Sequence, residues 1–414
     1  MVDCSKKKIK VAVGMSGGVD SSVAAKLLLD QGYEVVGFMM KLWSGSEMKC
    51  TRDNACCDID GLQDAKRVAK ILNIPFYVID VREKFKKEVA DYFIEEYKNL
   101  RTPNPCVKCN EKIKFGWLLD FAEKTGCSYL ATGHYARIDK DSEGHFHLLK
   151  GKDSGKDQSY FLYSLTQKQL SKIIFPLGEN TKEEVRVMAK KWNLPVHEKK
   201  ESQEICFVQE KDYREFLQKN IPTKFFKSGN IVDLSGNIIG KHDGLINYTI
   251  GQRKVIEQTK GLQISNSKFL ISKQIPKPKT QNKTTCHSEF SSESHGIPKQ
   301  VRDDRIKDKQ PLYVVGFDVN KNQLIVGGDE DIYKDKMTIG NLSWINQNTE
   351  YRIQNTEDLK VKIRYRHPAV GCRATRIQNT EYRIQFDQPQ RAITPGQSAV
   401  FYSGEEVLGG GVIL

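Results

Sequence analysis

Residues 14–22 have the composition of a phosphate-binding turn. The segment Ser16-Gly17-Gly18-Val19-Asp20-Ser21-Ser22 stands between an apolar run typical of a buried strand, 9–13, and a helical pattern that contains Val23. Adjacent glycines let the backbone approach an anion closely, and the amide groups that open the following helix carry partial positive charge. The serine hydroxyls add donors, and Asp20 could hold Mg²⁺ against the phosphates. No lysine follows the glycines, so the loop is not of the GxxxxGK[ST] type. The spacing of its glycines is not that of GxGxxG either.

Two cysteines far apart in the chain could carry sulfur chemistry driven by ATP. Cys109 and Cys206 are separated by 97 residues. Adenylation turns an oxygen into a leaving group, and the sulfur that replaces it is commonly delivered as a persulfide. Release of that sulfur requires a second thiol, which forms a disulfide behind it, so two distant cysteines must meet in the folded chain. Any two of the ten cysteines would satisfy this requirement, so the spacing alone does not choose the pair.

The elements around the loop predict an α/β domain with a parallel sheet. Further strands are expected at 33–40, 76–80 and 129–132, and helices at 62–72, 83–100 and 111–125. This alternation builds a parallel sheet through right-handed crossovers, and ligands bind at the carboxyl ends of its strands. His134 follows the last strand, so it is expected at the same edge as the phosphate loop. Its position alone leaves a structural and a functional role equally open.

The remainder of the chain predicts two further domains. A hairpin at 231–240 and short β-branched runs from 312 to 414 indicate a small central domain and a C-terminal β-barrel. We place the boundaries at 1–207 for the catalytic domain, 208–262 for the central domain, 263–310 for a flexible basic insertion and 311–414 for the barrel. One heptapeptide, Asn-Thr-Glu-Tyr-Arg-Ile-Gln, occurs at 348–354 and at 379–385. We interpret the segments 348–357 and 376–385 as inserted repeats that lengthen a hairpin and have no catalytic role.

Charge and composition favour a nucleic-acid partner. The net charge is +13, of which +4 lies at 273–310, where nine basic residues face five acidic ones. The remaining +9 still favours a polyanion, with nucleic acid the first candidate. No apolar run approaches the length of a membrane span, and the first strand follows the start without room for a signal peptide. The sequence therefore predicts a cytoplasmic protein without membrane association.

Residues 14–22 resemble the pyrophosphate loop of the N-type ATP pyrophosphatases, which split ATP between its α and β phosphates. Seven further segments follow in the chain, at 101–110, 112–115, 131–135, 156–163, 205–207, 251–254 and 394–402. Together with residues 14–22 they resemble the tRNA-specific 2-thiouridylases, in the family's order and over nearly the whole chain apart from the inserted segments. The resemblance implies that the chain uses ATP to adenylate the C2 oxygen of the wobble uridine of tRNA, replaces it with sulfur and releases AMP and pyrophosphate.

The same resemblance implies roles for individual residues. Cys109 matches the family's nucleophile and Cys206 its persulfide cysteine, and the two end as a disulfide. The target base is expected to meet Asn104, Pro105 and Cys106. Positions that contact ATP are matched by Gly14, Met15, Ser16, Gly17, Gly18, Val19, Asp20, Ser21, Met40 and Gly133. Positions that contact tRNA are matched by His134, Lys156, Asp157, Gln158, Arg364, Tyr365 and Gln397. ATP with Mg²⁺, persulfide sulfur, tRNA and a sulfur donor, such as a cysteine desulfurase or a sulfur-relay protein, are the implied cofactors and partners.

One position departs from the family. Many members carry an aspartate where this chain has Cys106, and the change creates Cys106-x-x-Cys109. With Cys206, these cysteines could ligate an iron–sulfur cluster, so that alternative stays open beside the favoured persulfide route. A structural zinc site is disfavoured because a second cysteine pair is missing. Two other functions remain as alternatives: an amidating synthetase with the same loop, and a basic RNA-binding module whose ATP site is vestigial.

Overall fold

The structure of the chain is a computed structural model. It describes residues 8–42, 59–199, 205–208, 212–253, 311–346, 348–378 and 380–414. The predicted insertion at 263–310 lies outside these residues, as do Lys254 and Asn379. Within the described part, no helix is long and apolar enough to cross a membrane.

The N-terminal part forms the predicted α/β domain. Five parallel strands pair in the order β3-β2-β1-β4-β7. Val11, Ala12 and Val13 of the central strand β1 are fully buried, as expected for an apolar run that is covered on both faces of a sheet. The strand bounds are β1 Lys10–Gly14, β2 Glu34–Lys41, β3 Phe76–Asp80, β4 Tyr129–Ala131 and β7 Ile173–Ile174.

The helices of this domain pack onto the sheet. Helix α1 follows the phosphate loop and shares one apolar cluster with α8, through Val23, Leu28, Val185 and Ala189. The helix bounds in the whole described chain are α1 Val19–Asp30, α2 Ile59–Ile71, α3 Arg82–Phe85, α4 Asp91–Lys98, α5 Pro105–Lys108, α6 Leu119–Lys124, α7 Gln167–Leu170, α8 Lys182–Lys191, α9 Tyr213–Asn220 and α10 Thr349–Asn355.

Two long helical stretches contain π-helical segments. Lys86–Ala90 joins α3 to α4, and Cys109–Leu118 joins α5 to α6. The helices predicted at 83–100 and 111–125 are therefore present, and the second begins earlier than predicted. π-Helical turns are uncommon and frequently occur at functional sites. The second segment starts at Cys109, one of the two cysteines singled out by the sequence.

A four-stranded sheet forms the central domain, in the order β10-β11-β8-β9. Strands β8 Gly229–Val232 and β9 Ile238–His242 are the predicted hairpin. Strands β10 Tyr313–Asp318 and β11 Gln323–Gly327 were predicted to belong to the barrel at 311–414, but β11 pairs with β8. The boundary at 311 is therefore wrong. The physical reason is that Val314 and Leu324 share an apolar core with Ile231.

Six strands form the closed C-terminal barrel, in the order β12-β15-β14-β13-β16-β17, and pairing of β12 with β17 completes the ring. A hairpin from the N-terminal part, β5 Ala136–Lys140 and β6 Phe146–Lys150, adds to the outside of β17. This pairing ties the barrel directly to the α/β domain. The barrel strands are β12 Tyr333–Trp344, β13 Leu359–Lys362, β14 Val370–Gln378, β15 Glu381–Arg391, β16 Ser398–Ser403 and β17 Glu406–Ile413.

The two copies of the heptapeptide adopt different structures. The first lies mainly in helix α10, and the described part of the second lies mainly in strand β15. Tyr351 of the first copy is 72% exposed, whereas Tyr382, its equivalent in the second, is fully buried. The second copy pairs within the hairpin β14–β15, and its being inserted sequence stays a prediction. The first does not lengthen a hairpin, so that part of the prediction is wrong.

Candidate active site

The phosphate loop lies at the carboxyl end of the central strand. Strand β1 ends at Gly14 and helix α1 begins at Val19, so the turn falls where the sequence predicts it. Gly17 has a φ of +72°, and a Cβ at this position would lie 2.1 Å from the carbonyl oxygen of Gly61. Because of both the backbone conformation and the close approach, only glycine fits at this position.

Serine side chains fix the shape of the loop. The Ser21 hydroxyl accepts a hydrogen bond from the amide of Ser16 at 3.1 Å, and the Ser22 hydroxyl donates to the carbonyl of Gly18 at 2.8 Å. Gly18 is the N-cap residue of α1 and has no side chain that could cap the first amides of the helix. A phosphate group can take the place of that cap, because helix amides and the helix dipole both favour an anion there.

Two predicted ATP positions border the loop on neighbouring strands. Gly133 follows β4, and a Cβ on it would lie 2.8 Å from the backbone carbonyl carbon of Asp20 and from the amide nitrogen of Ser21. Met40 is half-buried near the end of β2, on the other side of β1. The parallel sheet therefore brings the loop, Met40 and Gly133 to one edge, as expected for ligand-binding residues of this architecture.

The Asp20 carboxylate is held by two donors from distant parts of the chain. Lys182 Nζ lies 2.7 and 2.8 Å from its two oxygens, and the Tyr135 hydroxyl donates to Oδ1 at 2.8 Å. The Lys182 side chain is only 9% exposed. Asp20 was predicted as a possible Mg²⁺ contact. Because the ammonium group already neutralises this carboxylate, a magnesium ion at Asp20 would compete with Lys182 for it.

The predicted nucleophile lies in a helix whose start is fixed by local residues. Asn104 is the N-cap of α5, and its Oδ1 accepts a hydrogen bond from the Val107 amide at 3.4 Å. Pro105 occupies the first helical position, where its missing N–H costs no hydrogen bond. Cys106 is exposed, whereas Cys109 is buried with 7% exposure. The two thiols of Cys106-x-x-Cys109 therefore lie in different environments.

Cys206 packs against the same apolar cluster that contains Cys109. Its neighbour Phe207 is buried in that cluster, with ring centroids 5.5 Å from Phe85 and 5.3 Å from Phe93. Full burial of a phenylalanine side chain contributes roughly 1.5–3 kcal/mol. Phe207 therefore anchors the short described segment 205–208 against α3 and α4, in the cluster that also contains Cys109. Two cysteines 97 residues apart in sequence thus share one cluster.

The described cysteines do not form a compact metal site with one another. Among the described residues, one group has its metal-ligand atoms within 4.8 Å of one another, and it consists of Asp141, Glu143 and His145. These residues lie on the turn between β5 and β6, away from Cys106 and Cys109 in sequence. The close thiolate packing that a zinc ion would require is therefore not formed by the cysteines of the described chain.

We call the seven residues predicted to touch RNA the tRNA-contact set: His134, Lys156, Asp157, Gln158, Arg364, Tyr365 and Gln397. His134 is buried beside the rings of Phe115 and Phe175, and its Nδ1 lies 2.7 Å from Thr132 Oγ1. Burial lowers the pKa of His134 well below its ordinary value, and the charge of Lys114 lowers it further. His134 is therefore neutral near pH 7 and offers no charge to a phosphate.

Asp157 and Gln158 make contacts within the protein. Asp157 is 5% exposed, its Oδ1 accepts bonds from two backbone amides at 3.1 Å, and its Oδ2 lies 3.7 Å from Lys362 Nζ on the barrel. Gln158 exchanges two hydrogen bonds with the backbone of Tyr135, at 2.9 and 3.0 Å. Lys156, which precedes them, is half-buried. The segment 156–158 therefore joins the phosphate-loop region to the barrel.

The barrel members of the tRNA-contact set are also engaged. Alternation along a strand would place the basic residues at 362, 364 and 366 on one face, but β13 ends at Lys362 and the chain then turns, so they do not form such a ridge. Arg364 is half-buried and donates to the carbonyl of Arg391 at 2.6 Å. Tyr365 packs against Phe161 with ring centroids 4.5 Å apart. Gln397 is half-buried and reaches the segment that leads to Cys109.

Known proteins match this chain along its whole length. The tRNA methyl transferase HUP domain matches residues 9–210, the tRNA methyl transferase PRC-barrel domain 214–277, and the aminomethyltransferase beta-barrel domain 334–413. The tRNA-specific 2-thiouridylase MnmA of Geobacter metallireducens is 41% identical, over 99% of this chain and 97% of its own length. The protein of that name from Clostridium botulinum (strain Alaska E43 / Type E3) is 40% identical over 99% of both chains. The chain belongs to the tRNA-specific 2-thiouridylase family.

Within this 2-thiouridylase, the predicted site residues fall into two groups. The ATP positions and the two cysteines lie in the α/β domain, around one sheet edge and one adjoining apolar cluster. The tRNA-contact set is divided between that domain and the barrel, and several of its members bind other parts of the protein. The family resemblance located both groups, but it did not predict those internal contacts.

Lys182 is a site residue that the sequence reasoning missed. It occupies the first position of α8, after a capping box in which Thr181 and Glu184 satisfy each other's backbone amides. The sequence Thr-Lys-Glu-Glu signals the start of a helix. Nothing local indicates that the lysine side chain reaches Asp20, which is 162 residues away in the chain. Only the packing of α8 against α1 brings the two together.

Proposed function

We propose that this chain is an ATP-dependent tRNA 2-thiouridylase. It adenylates the C2 oxygen of the wobble uridine, replaces that oxygen with sulfur, and releases AMP and pyrophosphate. The observation that carries the proposal is the shared apolar cluster of Cys109 and Cys206, in the domain that also holds the phosphate loop. An amidating synthetase or an RNA-binding module has no use for such a pair of distant cysteines.

The phosphate loop binds ATP. Amides at the start of α1 and the hydroxyls of Ser16 and Ser21 donate to the phosphates, and Gly133 leaves space for them beside the loop. When the polyphosphate enters, Lys182 transfers from Asp20 to the phosphates and offsets the charge that develops on departing pyrophosphate. Mg²⁺, held by the vacated Asp20 carboxylate, would supply further charge neutralisation.

The two cysteines deliver sulfur. Cys206 carries a persulfide, whose terminal sulfur attacks C2 of the adenylated uridine, and AMP leaves with the C–O bonding pair. Cys109 then attacks the inner sulfur, Cys206 Sγ, and breaks its bond to the transferred sulfur, which keeps the electron pair and remains on the base. The products are 2-thiouridine and a Cys109–Cys206 disulfide. A dithiol reductant must return both thiols before the next turnover.

The base must leave its stack to reach this site. Asn104, Pro105 and Cys106 stand at the start of the nucleophile helix and are the proposed contacts of the flipped uridine. The tRNA-contact set and the barrel bind the surrounding RNA. The sulfur on Cys206 comes from a cysteine desulfurase or a sulfur-relay protein. The cytoplasmic location that the sequence predicts stays a prediction.

Serine substitutions test the assignment. Cys109→Ser and Cys206→Ser are each expected to reduce 2-thiouridine to background, measured by chromatography of tRNA nucleosides. Pyrophosphate release in the first turnover should stay within about threefold of the unmodified enzyme, because adenylation precedes sulfur transfer and needs neither thiol. Cys372→Ala is the matched control, since this buried cysteine lies in the barrel core. Multiple turnover by Cys206→Ser would overturn the persulfide assignment.

Cys106→Asp separates the two sulfur routes. It restores the residue that is more usual at this position and removes a possible iron ligand. Under the persulfide route thiolation persists, because Cys106 transfers no sulfur. Under the iron–sulfur alternative it is lost together with the visible absorption of a cluster. Loss of thiolation in a folded Cys106→Asp enzyme would therefore favour the cluster.

A further inference from the structure

A loop of the barrel forms hydrogen bonds with Thr102 and Pro103, at the start of the segment 102–109, which we call the nucleophile segment because it ends at Cys109. The side-chain amide of Gln397 donates to the carbonyl oxygens of Thr102 at 3.0 Å and Pro103 at 3.1 Å. The amide of Thr102 in turn donates to the carbonyl of Pro395 at 2.8 Å. Gly396 has a φ of +89°, and a Cβ on it would lie 2.8 Å from the Thr102 carbonyl oxygen. Two segments of the chain, separated by 295 positions, therefore fit together closely here.

These hydrogen bonds hold the backbone that leads into the helix of Cys109. Pro103 and Pro105 restrict the backbone conformations between Thr102 and α5, and Asn104 caps that helix. The backbone between these hydrogen-bonded carbonyls and Cys109 therefore has few accessible conformations. The Thr102 hydroxyl also lies 3.3 Å from the hydroxyl of Thr249 in the central domain. Parts of all three domains thus meet at Thr102, four residues before Cys106.

We propose that Gln397 is a positioning residue that latches the nucleophile segment in the tRNA-free enzyme and releases it when tRNA binds. The proposal rests on the proposed function, in which Gln397 contacts tRNA and Cys109 is the nucleophile. A primary amide has two N–H donors, and both serve the carbonyls of Thr102 and Pro103. An RNA acceptor that takes one of them weakens the latch. tRNA docking on the barrel is therefore coupled to the freedom of the segment that carries Cys109.

The structure explains why such control is useful. Cys109 is 7% exposed, whereas Cys106 three residues earlier is exposed. A latched segment keeps the nucleophile away from solvent oxidants when no substrate is present, and it restricts the movement by which the Cys109 thiol could attack a persulfide on Cys206 in the same cluster. Premature attack would release the persulfide sulfur and close the disulfide without product.

Alkylation of individual cysteines tests the latch. The full chain is treated with iodoacetamide without tRNA and digested with trypsin, which cuts at Lys108 and so places Cys106 and Cys109 in separate peptides. Gln397→Glu keeps the side-chain shape but cannot donate to carbonyls, and Gln397→Met serves as an uncharged second variant. Gln385→Glu is the matched control, because the amide of Gln385 contacts only barrel atoms. Cys106 provides the internal reference in the samples without tRNA.

Both Gln397 variants are expected to label Cys109 about fivefold faster or more than the unmodified chain, while Cys106 and the Gln385→Glu control stay unchanged. A tRNA with an abasic wobble position, which leaves the base site vacant, should accelerate labelling in the unmodified chain and not in the variants. Equal labelling of Cys109 in all proteins without tRNA would overturn the latch. Faster labelling in the variants with no response of the unmodified chain to tRNA would overturn its coupling to tRNA. Failure of the proposed function would instead appear as no 2-thiouridine from the unmodified enzyme.

Discussion

The phosphate loop and the tRNA-contact set differ in the sequence distance over which they are held. Ser16 and Ser21, five residues apart, shape the loop by bonding to each other. In the tRNA-contact set, Gln397 bonds to Thr102 across 295 residues and Arg364 bonds to the carbonyl of Arg391. A locally held site keeps its geometry whenever its own strand and helix form. A site held across domains keeps its geometry only when the domains are correctly docked.

This difference predicts different consequences of substitution. Changes in the loop should lower adenylation while leaving the fold and tRNA affinity intact. Changes in the tRNA-contact set should alter RNA binding and interdomain contacts together, because the same side chains serve both. Lys182 is the informative exception, since it is a long-range partner of a locally held loop.

Lys182→Met is expected to have the largest effect on adenylation. Removing the buried ammonium leaves departing pyrophosphate without that charge, so AMP formation should fall by a factor of about a hundred or more. Asp20→Asn should be similarly severe if its charge binds Mg²⁺. Lys190→Met, on the exposed face of α8, is the control.

The double variant Lys182→Met with Asp20→Asn distinguishes catalysis from a structural ion pair. If the two groups act separately on bound ATP, the double variant should be slower than either single variant. If they serve only each other, it should be no worse than the more severe single variant. Unchanged AMP release in Lys182→Met would show that the phosphate loop supports adenylation without a long-range partner. The loop would then depend on local contacts alone, and the difference from the tRNA-contact set would be larger than we propose.

Gly133→Ala should have an intermediate effect. The added Cβ would lie 2.8 Å from backbone atoms of Asp20 and Ser21, so the loop or β4 must shift. We expect ATP to bind about tenfold or more weakly, because a small displacement misaligns the phosphate donors. Gly126→Ala is a useful comparison, since a Cβ there meets no atom within 4 Å, although its positive φ adds strain. An unchanged KM for ATP in Gly133→Ala would place the phosphates elsewhere.

Arg364→Ala should have a smaller effect, on tRNA binding rather than on adenylation. We expect affinity to fall by several-fold and the dependence of log K on log salt to decrease by about one unit, as for loss of one phosphate contact. Filter binding across salt concentrations measures both quantities. Because Arg364 also bonds to Arg391, thermal unfolding should be recorded alongside. Reduced stability with unaltered RNA binding would show that Arg364 serves only the protein.

Deletion of 273–310 should have the smallest effect. The segment contributes +4 of the net charge of +13. We predict a change in tRNA affinity of less than about threefold, because the sequence predicts a flexible segment, and holding such a segment near RNA costs conformational entropy that offsets its attraction. A tenfold loss in the same binding titration would make the segment part of the RNA-binding surface.

The heptapeptide copies show why some structure could not be read from the sequence. One copy of the same seven-residue sequence lies mainly in helix α10, between β12 and β13. The described part of the other copy lies mainly in strand β15, beside β14. In the helix Tyr351 faces solvent, whereas in the strand Tyr382 is buried and donates to Glu350 of the other copy at 2.7 Å. Local preference is identical in both copies, so tertiary packing decides between them.

The phosphate loop shows the opposite behaviour. Its strand, glycines and helix were predicted at nearly the observed positions, because turn chemistry and apolar periodicity act over a few residues. The pairing of β10 and β11 with the central sheet was missed, since it spans the segment 254–310 that interrupts the domain in sequence. The contacts of Lys182 and Gln397 were missed for the same reason. Each depends on where distant elements pack.

A single-turnover reaction tests the central claim most directly. Enzyme loaded with persulfide is mixed with tRNA and ATP in the absence of reductant, then digested with trypsin, which frees Cys109 and Cys206 in separate peptides. We predict one disulfide joining these two peptides for each 2-thiouridine formed. Formation of 2-thiouridine without that disulfide, or of the disulfide between other cysteines, would contradict the assignment of Cys109 and Cys206.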